Sequence, residues 1–309
     1  MCGIAGLLYK SPTRYASLGQ QMLTMLDVLG SRGVDGTGVA LYGPPRPEAA
    51  IFRIWLGGRD APADQAERAL ARVRGLARVL EASVSHDYLR LVVEQAGDLD
   101  PLVQAIRGDE RGIEVFSVGR SMEIVKQEGP ASVLRERYCL STFAGSHGIG
   151  HTRLATESRV DVEHCHPYWA RPFPDIAVVH NGQLTNYYKQ RRIFEMKGWR
   201  FQTQGDSELI ALYLAHRMRA GASLEEAMHA SIRELDGTFN YIVSTVQGIG
   251  FARDAFATKP LVFVETDEYV AIATEERALV AAFGPTVAAF EPPAREVRVW
   301  PLPRLVAGR

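Results

Sequence analysis

The chain opens with Met1-Cys2-Gly3-Ile4-Ala5-Gly6-Leu7-Leu8-Tyr9-Lys10, and the place of its cysteine governs how the rest is read. Ile4 to Tyr9 is a short apolar run of the kind that forms a buried strand. Cysteine is itself among the most often buried residue types, so Cys2 could be no more than the ragged start of that strand. The other reading is chemical. Loss of Met1 would leave a thiol and a free α-amine on one residue, which is a nucleophile and a base in a single unit. The remaining sequence has to decide between the two.

Composition narrows the field first. With 309 residues, 46% of them hydrophobic and 23% charged, the chain has the makeup of a globular protein with a large core. A formal net charge of -1 gives no electrostatic reason to bind nucleic acid or an acidic membrane surface. No apolar stretch approaches the roughly 20 residues needed to span a bilayer, and the N-terminus lacks a secretory signal pattern. Three cysteines, Cys2, Cys139 and Cys165, are too few for a disulfide framework and fit a reducing compartment, so a cytoplasmic location is expected.

Hydrophobic periodicity predicts a helix over 18–29, strands over 39–42 and 51–56, and a glycine-dense loop over 31–38 between the first helix and the first of these strands. From 61 to about 108 the sequence turns rich in Ala, Arg, Glu and Leu with helical spacing, so 56–110 reads as a helical insertion within a single 2–309 domain. Strands over 113–118, 148–152 and 176–180 are followed by helices near 187–197, 207–219 and 224–235. The β-like pattern then returns at 240–246, 248–252, 261–264, 269–272 and 297–300. Strands, then helices, then strands argue for layered α+β packing and against a wound parallel sheet. The glycines at 33, 36 and 38 are in the wrong order for a dinucleotide-binding turn, and no P-loop is present.

Three positions invite chemistry, each with an ordinary alternative. Arg153 follows a strand-like run, where a guanidinium fork could hold a carboxylate or could simply be salt-bridged. Asn181-Gly182 ends an apolar strand; it could be a turn, or could aim a side-chain N–H and a backbone N–H at one developing negative charge. Asp206 precedes an amphipathic helix, as an N-cap or as a carboxylate for a substrate ammonium. His147, His151, His164, Cys165 and His166 are ligand types suited to zinc. No metal-site spacing supports them, and His164 and His166 would point away from Cys165 in an extended segment, so no metal is expected.

Taken together, Met-Cys-Gly-Ile-Ala-Gly at 1–6, Arg-Gly-Val-Asp-Gly at 32–36, His-Thr-Arg-Leu-Ala-Thr at 151–156, His-Pro-Tyr at 166–168, His-Asn-Gly-Gln-Leu-Thr-Asn at 180–186 and Asp-Ser-Glu-Leu-Ile at 206–210 resemble the glutaminase domain of class II glutamine amidotransferases, in the family's order. The resemblance covers 2–43 and 113–265. It implies the four-layer αββα sandwich of N-terminal nucleophile hydrolases, in which Cys2, freed of Met1, attacks the side-chain amide of glutamine. On this resemblance Asn181 and Gly182 form the oxyanion hole, Arg153, Thr156 and Asp206 hold the substrate, and Arg32 and Gly33 order the loop beside the nucleophile. An α-amine titrates near about 7.7–8.0, well placed for a base at neutral pH. The chain departs from the family pattern at Leu154, where many relatives carry an aromatic residue, at Glu157, where some carry His, and at Val34, where Pro is frequent.

Since 309 residues leave no room for a synthase domain, the resemblance implies a separate glutaminase subunit in a hetero-oligomer. The small subunits of glutamate-synthase-like and N-methylglutamate synthase complexes are its nearest likeness. No cofactor is then expected in this chain, and the FMN and iron–sulfur cluster would sit in the partner. The competing expectations are a free-standing γ-glutamyl amide hydrolase and a non-catalytic subunit of the same fold.

Overall fold

A computed structural model of the chain describes residues 2–57, 61–94, 97–108, 112–155 and 159–303. In chain order the strands are β1 (Gly3–Tyr9), β2 (Gly36–Tyr42), β3 (Ala49–Leu56), β4 (Val79–Ser85), β5 (Tyr88–Glu94), β6 (Ile113–Gly119), β7 (Met122–Gln127), β8 (His147–Arg153), β9 (Tyr168–Trp169), β10 (Ile176–Leu184), β11 (Gly237–Thr245), β12 (Gly248–Arg253), β13 (Val262–Glu265), β14 (Tyr269–Ala273) and β15 (Val297–Pro301). The helices are α1 (Leu18–Leu29), α2 (Pro62–Arg74), α3 (Asp100–Arg107), α4 (Ala131–Tyr138), α5 (Tyr187–Met196), α6 (Asp206–Arg219), α7 (Leu224–Glu234) and α8 (Glu276–Phe283).

Two antiparallel sheets face each other. One runs β13-β14-β1-β8-β2-β7 and the other β15-β12-β11-β10-β9. All seven residues of β1 are buried, which is why Ile4 to Tyr9 shows no alternation: both of its faces are covered. One face lies under α1, whose Leu18, Met22, Met25, Leu26 and Leu29 form the buried stripe; the other meets the second sheet so closely that a Cβ on Gly6 would lie 3.3 Å from the Ile242 side chain. Helices α1, α4 and α8 cover the outside of the first sheet, and α6 and α7 the outside of the second, with α5 packed against α6. The layers are therefore helix, sheet, sheet, helix, as expected.

The expected helical insertion needs correction. Between 56 and 110 the structure has α2 and α3, but also the β4–β5 hairpin, and β5 adds to β3 and β6 in a third sheet ordered β4-β5-β3-β6. Strand β4 is the edge of that sheet and is exposed at six of its seven positions. Its Val-Leu-Glu-Ala-Ser-Val-Ser sequence carries no buried periodicity, while its Ala, Glu and Leu mimic helical composition.

Strand β8 carries two fully buried histidines. His147 stacks on Tyr42 with ring centroids 4.1 Å apart and donates from Nε2 to the Thr245 carbonyl at 2.8 Å. Burial pushes its pKa down to about 4 and that of His151 down to about 3. The unfolded chain, with imidazoles near about 6.5, takes up protons first as the pH falls. Stability from the neutral rings is therefore whole above pH ~6.5 and drains away towards pH ~4, at a cost on the order of 3 kcal/mol per ring. Urea midpoints measured from pH ~7 down to ~4.5 should fall, and His147→Gln should flatten that slope. An equally steep slope in the variant would count against this account.

Candidate active site

The site gathers at one end of the sandwich. Cys2 sits at the head of β1, half-buried, with its Sγ 3.7 Å from the Leu154 carbonyl just past β8. Burial pushes the thiol pKa up, and the positive charges of Arg153 and Arg32 work against that rise without cancelling it. The thiol is thus protonated at neutral pH and needs a base to react.

Three segments fasten this strand end. Arg32 donates from Nε to the Cys2 carbonyl at 3.1 Å and pairs with Glu275 at 2.6 Å. Thr274 accepts the Ile4 N–H at 2.8 Å. Gly33 lies against the chain leaving β8: a Cβ there would come within 2.4 Å of the Arg153 carbonyl carbon, so no other residue fits without moving backbone. On either side the contact is sealed by the Asp35 N–H on the Arg153 carbonyl at 3.0 Å and by the Ala155 N–H on the Asp35 carboxylate at 2.8 Å. A cavity of about 750 Å³ opens beside this knot, lined by Arg32, Gly33, Leu154 and Glu275 among others, with exposed Val34 and Leu154 on its wall.

Arg153 ends β8, buried, and donates from Nη2 to the Arg159 carbonyl at 2.6 Å. Across the sandwich, His151 Nε2 lies 3.2 Å from the His180 carbonyl, which sets the 180–182 end of β10 opposite the 151–153 end of β8. Asn181-Gly182 is not a turn. Strand β10 runs straight through it, pairing Asn181 with Asn240 and Gly182 with Phe239. Asn181 is 3% exposed, and among the described residues its Nδ2 has no acceptor. A buried amide donor without a partner costs about 1–3 kcal/mol, so folding alone gives no reason to keep it. Gly182 has φ of 142°, and a Cβ there would lie 2.1 Å from the Thr238 carbonyl.

Asp206 is not a cap either: Gly205 is the N-cap of α6, and Asp206 opens its first turn. Its Oδ2 accepts the Leu184 N–H at 2.9 Å, while Oδ1 lies 3.3 Å from the Ser207 hydroxyl and 3.5 Å from His180 Nδ1. Burial opposes its charge, but His180 and these hydrogen bonds outweigh it and hold the carboxyl below the usual range.

Sequence reading passed over the residues behind Asp206. The Ser207 hydroxyl lies 2.9 Å from His180 Nδ1 and 3.2 Å from His166 Nε2. The His180 N–H donates to His166 Nδ1 at 3.3 Å, so that nitrogen is bare and the proton sits on Nε2, facing Ser207. Burial, helped by the neighbouring His151 and His180, pushes the His166 pKa well down, in keeping with a neutral ring. All three belong to quoted motifs, yet only the fold shows that they meet. The imagined zinc set separates: His164 pairs with Asp161 at 2.6 Å, the Cys165 thiol lies 3.3 Å from the Asp161 carbonyl, and His166 stacks on His151. Among the described residues no group of three or more His, Cys, Asp or Glu converges on a metal position. Met1, Thr156 and Glu157 lie outside the described residues.

An αββα sandwich with a cysteine heading a central strand, fastened by the Arg32–Glu275 pair, is the architecture of a class II amidotransferase. Residues 151–281 match the family model of the glutamine amidotransferase domain. The chain is 39% identical over 285 residues to a putative glutamine amidotransferase of Methanothermobacter thermautotrophicus, covering 90% of this chain and 93% of that protein. It is 38% identical over 280 residues to the glutamine amidotransferase-like protein GlxB of Rhizobium meliloti, covering 91% of each. The chain belongs to the glutamine amidotransferase family, and so to the amide-hydrolysing enzymes. The glutamine phosphoribosylpyrophosphate amidotransferase of B. subtilis shares the fold, with a TM-score of 0.61 at 17% identity, over 96% of this chain and 47% of that one. No described helix is long and apolar enough to cross a membrane.

Proposed function

We propose that this chain is the glutaminase component of a two-protein, glutamine-dependent synthase. Once Met1 is removed, the Cys2 α-amine takes the thiol proton as sulfur attacks the side-chain amide carbon of glutamine. The same proton goes to the leaving nitrogen, ammonia departs, and a γ-glutamyl thioester remains. Water then cleaves the thioester, releasing glutamate and restoring the thiol. Asn181 Nδ2 and the Gly182 N–H stabilise the negative oxygen in both steps. Arg153 holds the substrate α-carboxylate, Thr156 adds a hydroxyl to that grip, and Asp206 holds the α-ammonium. Arg32 and Gly33 keep the nucleophile's loop in place.

The observation that carries this reading is the buried Asn181 amide with no acceptor among the described residues, set opposite the end of β8 that bears Arg153, beside which the head of β1 brings Cys2. The recipient of ammonia is a separate synthase of the glutamate-synthase or N-methylglutamate-synthase type, which holds any flavin and iron–sulfur cluster. Two relatives of similar size, matched over 93% and 91% of their own length, support a stand-alone component. Free thiols at Cys2, Cys139 and Cys165 suit a cytoplasmic setting.

The direct test is intact mass after exposure to a glutamine analogue with an electrophile at the γ-position. The expected result is a chain lacking Met1 with one adduct, mapped to Cys2. A chain without an adduct, or an adduct at Cys139 or Cys165, would remove Cys2 from the mechanism. Asp206→Asn should raise KM for glutamine by about 10²-fold, from loss of a charge-assisted contact, with a smaller effect on kcat. An unchanged KM would unseat Asp206 as the ammonium partner.

A further inference from the structure

A cavity of about 980 Å³ is lined by none of the residues assigned to the glutaminase reaction. It lies where the insertion helix α3, the turn after β9, the segment after α5 and the end of α6 come together. Arg107, Arg171, Lys197, Arg200 and Arg219 line it, and among the described residues the lining holds a single carboxylate, Asp100.

Several of these charges have ordinary explanations. Arg107 is paired with Glu114 at 2.8 Å. Lys197 and Arg219 sit at the C-terminal ends of α5 and α6, where the helix dipole welcomes a cation. Arg171 and Arg200 have neither excuse. Arg171 is half-buried, and among the described residues neither it nor Arg200 has a carboxylate within ion-pairing distance. Burial, with the nearby Arg107 charge next, pushes the Arg171 pKa down, and His216 on the same wall is lowered by burial and then by Lys197, Arg217 and Arg219. Asp100, Glu114 and Glu208 offset part of the Arg171 charge, but among the described lining residues five Lys and Arg side chains still face one carboxylate, in a space of ligand size.

We infer that this cavity binds an organic phosphate of nucleotide size, with Arg171 and Arg200 gripping the phosphates and Trp199 bordering the organic part. Planar guanidinium forks match phosphate oxygens in pairs, and two forks on one wall suit an anion with more than one such oxygen pair. Trp199 is held in place by Phe173 and His216, with ring centroids 5.6 and 5.5 Å away, so its surface is fixed before a ligand arrives. The site is independent of the glutaminase assignment, because none of its residues takes part in that reaction.

Calorimetric titration of the full chain with a purine nucleoside diphosphate, the matching nucleoside and inorganic pyrophosphate tests it. The diphosphate should bind at one site per chain, about tenfold tighter than pyrophosphate, and the nucleoside alone should not register. Arg200→Gln and Lys197→Gln, both at exposed positions, should each weaken binding by about tenfold and leave the folded circular dichroism spectrum and glutamine hydrolysis unaltered. Arg171→Gln should cost more. Cys2→Ala should bind as the parent does. Equal affinity for pyrophosphate and diphosphate would overturn the role of Trp199. Absence of binding by both, or binding indifferent to Arg200→Gln and Lys197→Gln, would overturn the site.

Discussion

Cys2→Ala is expected to lower glutamine hydrolysis by about 10⁴-fold or more while leaving the fold as it is. Loss of a covalent nucleophile removes the thioester route outright and leaves only what the oxyanion donors and substrate binding provide. The structure gives reason to expect intact folding. Among the described residues the side chain makes one long polar contact, 3.7 Å to the Leu154 carbonyl, whereas the strand end is held through the Cys2 backbone carbonyl by Arg32 and through Ile4 by Thr274. Thermal unfolding beside glutamate release would separate the two effects. Residual hydrolysis within about tenfold of the parent would place the nucleophile elsewhere.

Gly182→Ala should be nearly as damaging for a different reason. At φ of 142° an L side chain is strained, and the added methyl would meet the Thr238 carbonyl at 2.1 Å and the Phe239 Cα at 2.6 Å. Both are backbone atoms of the neighbouring strand β11, so β10 must shift out of register there, taking the Gly182 N–H and the Asn181 amide with it. A loss of about 10²–10³ in kcat is expected from displaced oxyanion donors. Stability should drop by about 1–3 kcal/mol. Gly221→Ala is the matching control: its φ is 99°, yet nothing lies within 4 Å of an added Cβ, so it should cost stability without costing kcat. An unchanged kcat in Gly182→Ala would take that N–H out of the oxyanion hole.

Much of this was readable from local pattern. Cys2, Arg153, Asn181 and Asp206 each stand at the end of an apolar run, where a chemically capable residue is visible without a fold. What escaped was set by distance along the chain. Strand β7 was not expected because Glu123 and Lys126 interrupt its apolar run. In the structure Glu123 is buried by pairing with Arg53 at 2.6 Å and Arg90 at 3.0 Å, and Lys126 by donating to the Cys165 carbonyl at 2.8 Å. Thr274 and Glu275, which fasten the nucleophile's strand, lie more than 240 residues from Ile4 and Arg32. Ser207 resembled an ordinary first-turn serine until His166 and His180 arrived beside it.

The neighbours of β1 carry a consequence for timing. Its two hydrogen-bonded partners are β8 and β14, the latter spanning Tyr269–Ala273. During synthesis β1 must wait for its second partner until β14, far along the chain, has been made. Pairings this remote in sequence are also slow to form. Cys2 therefore emerges well before the strands that position it. Throughout that interval the thiol is an ordinary one, remote from Arg32, Arg153 and the donors of β10, so the chemistry assigned to it begins only when the fold closes.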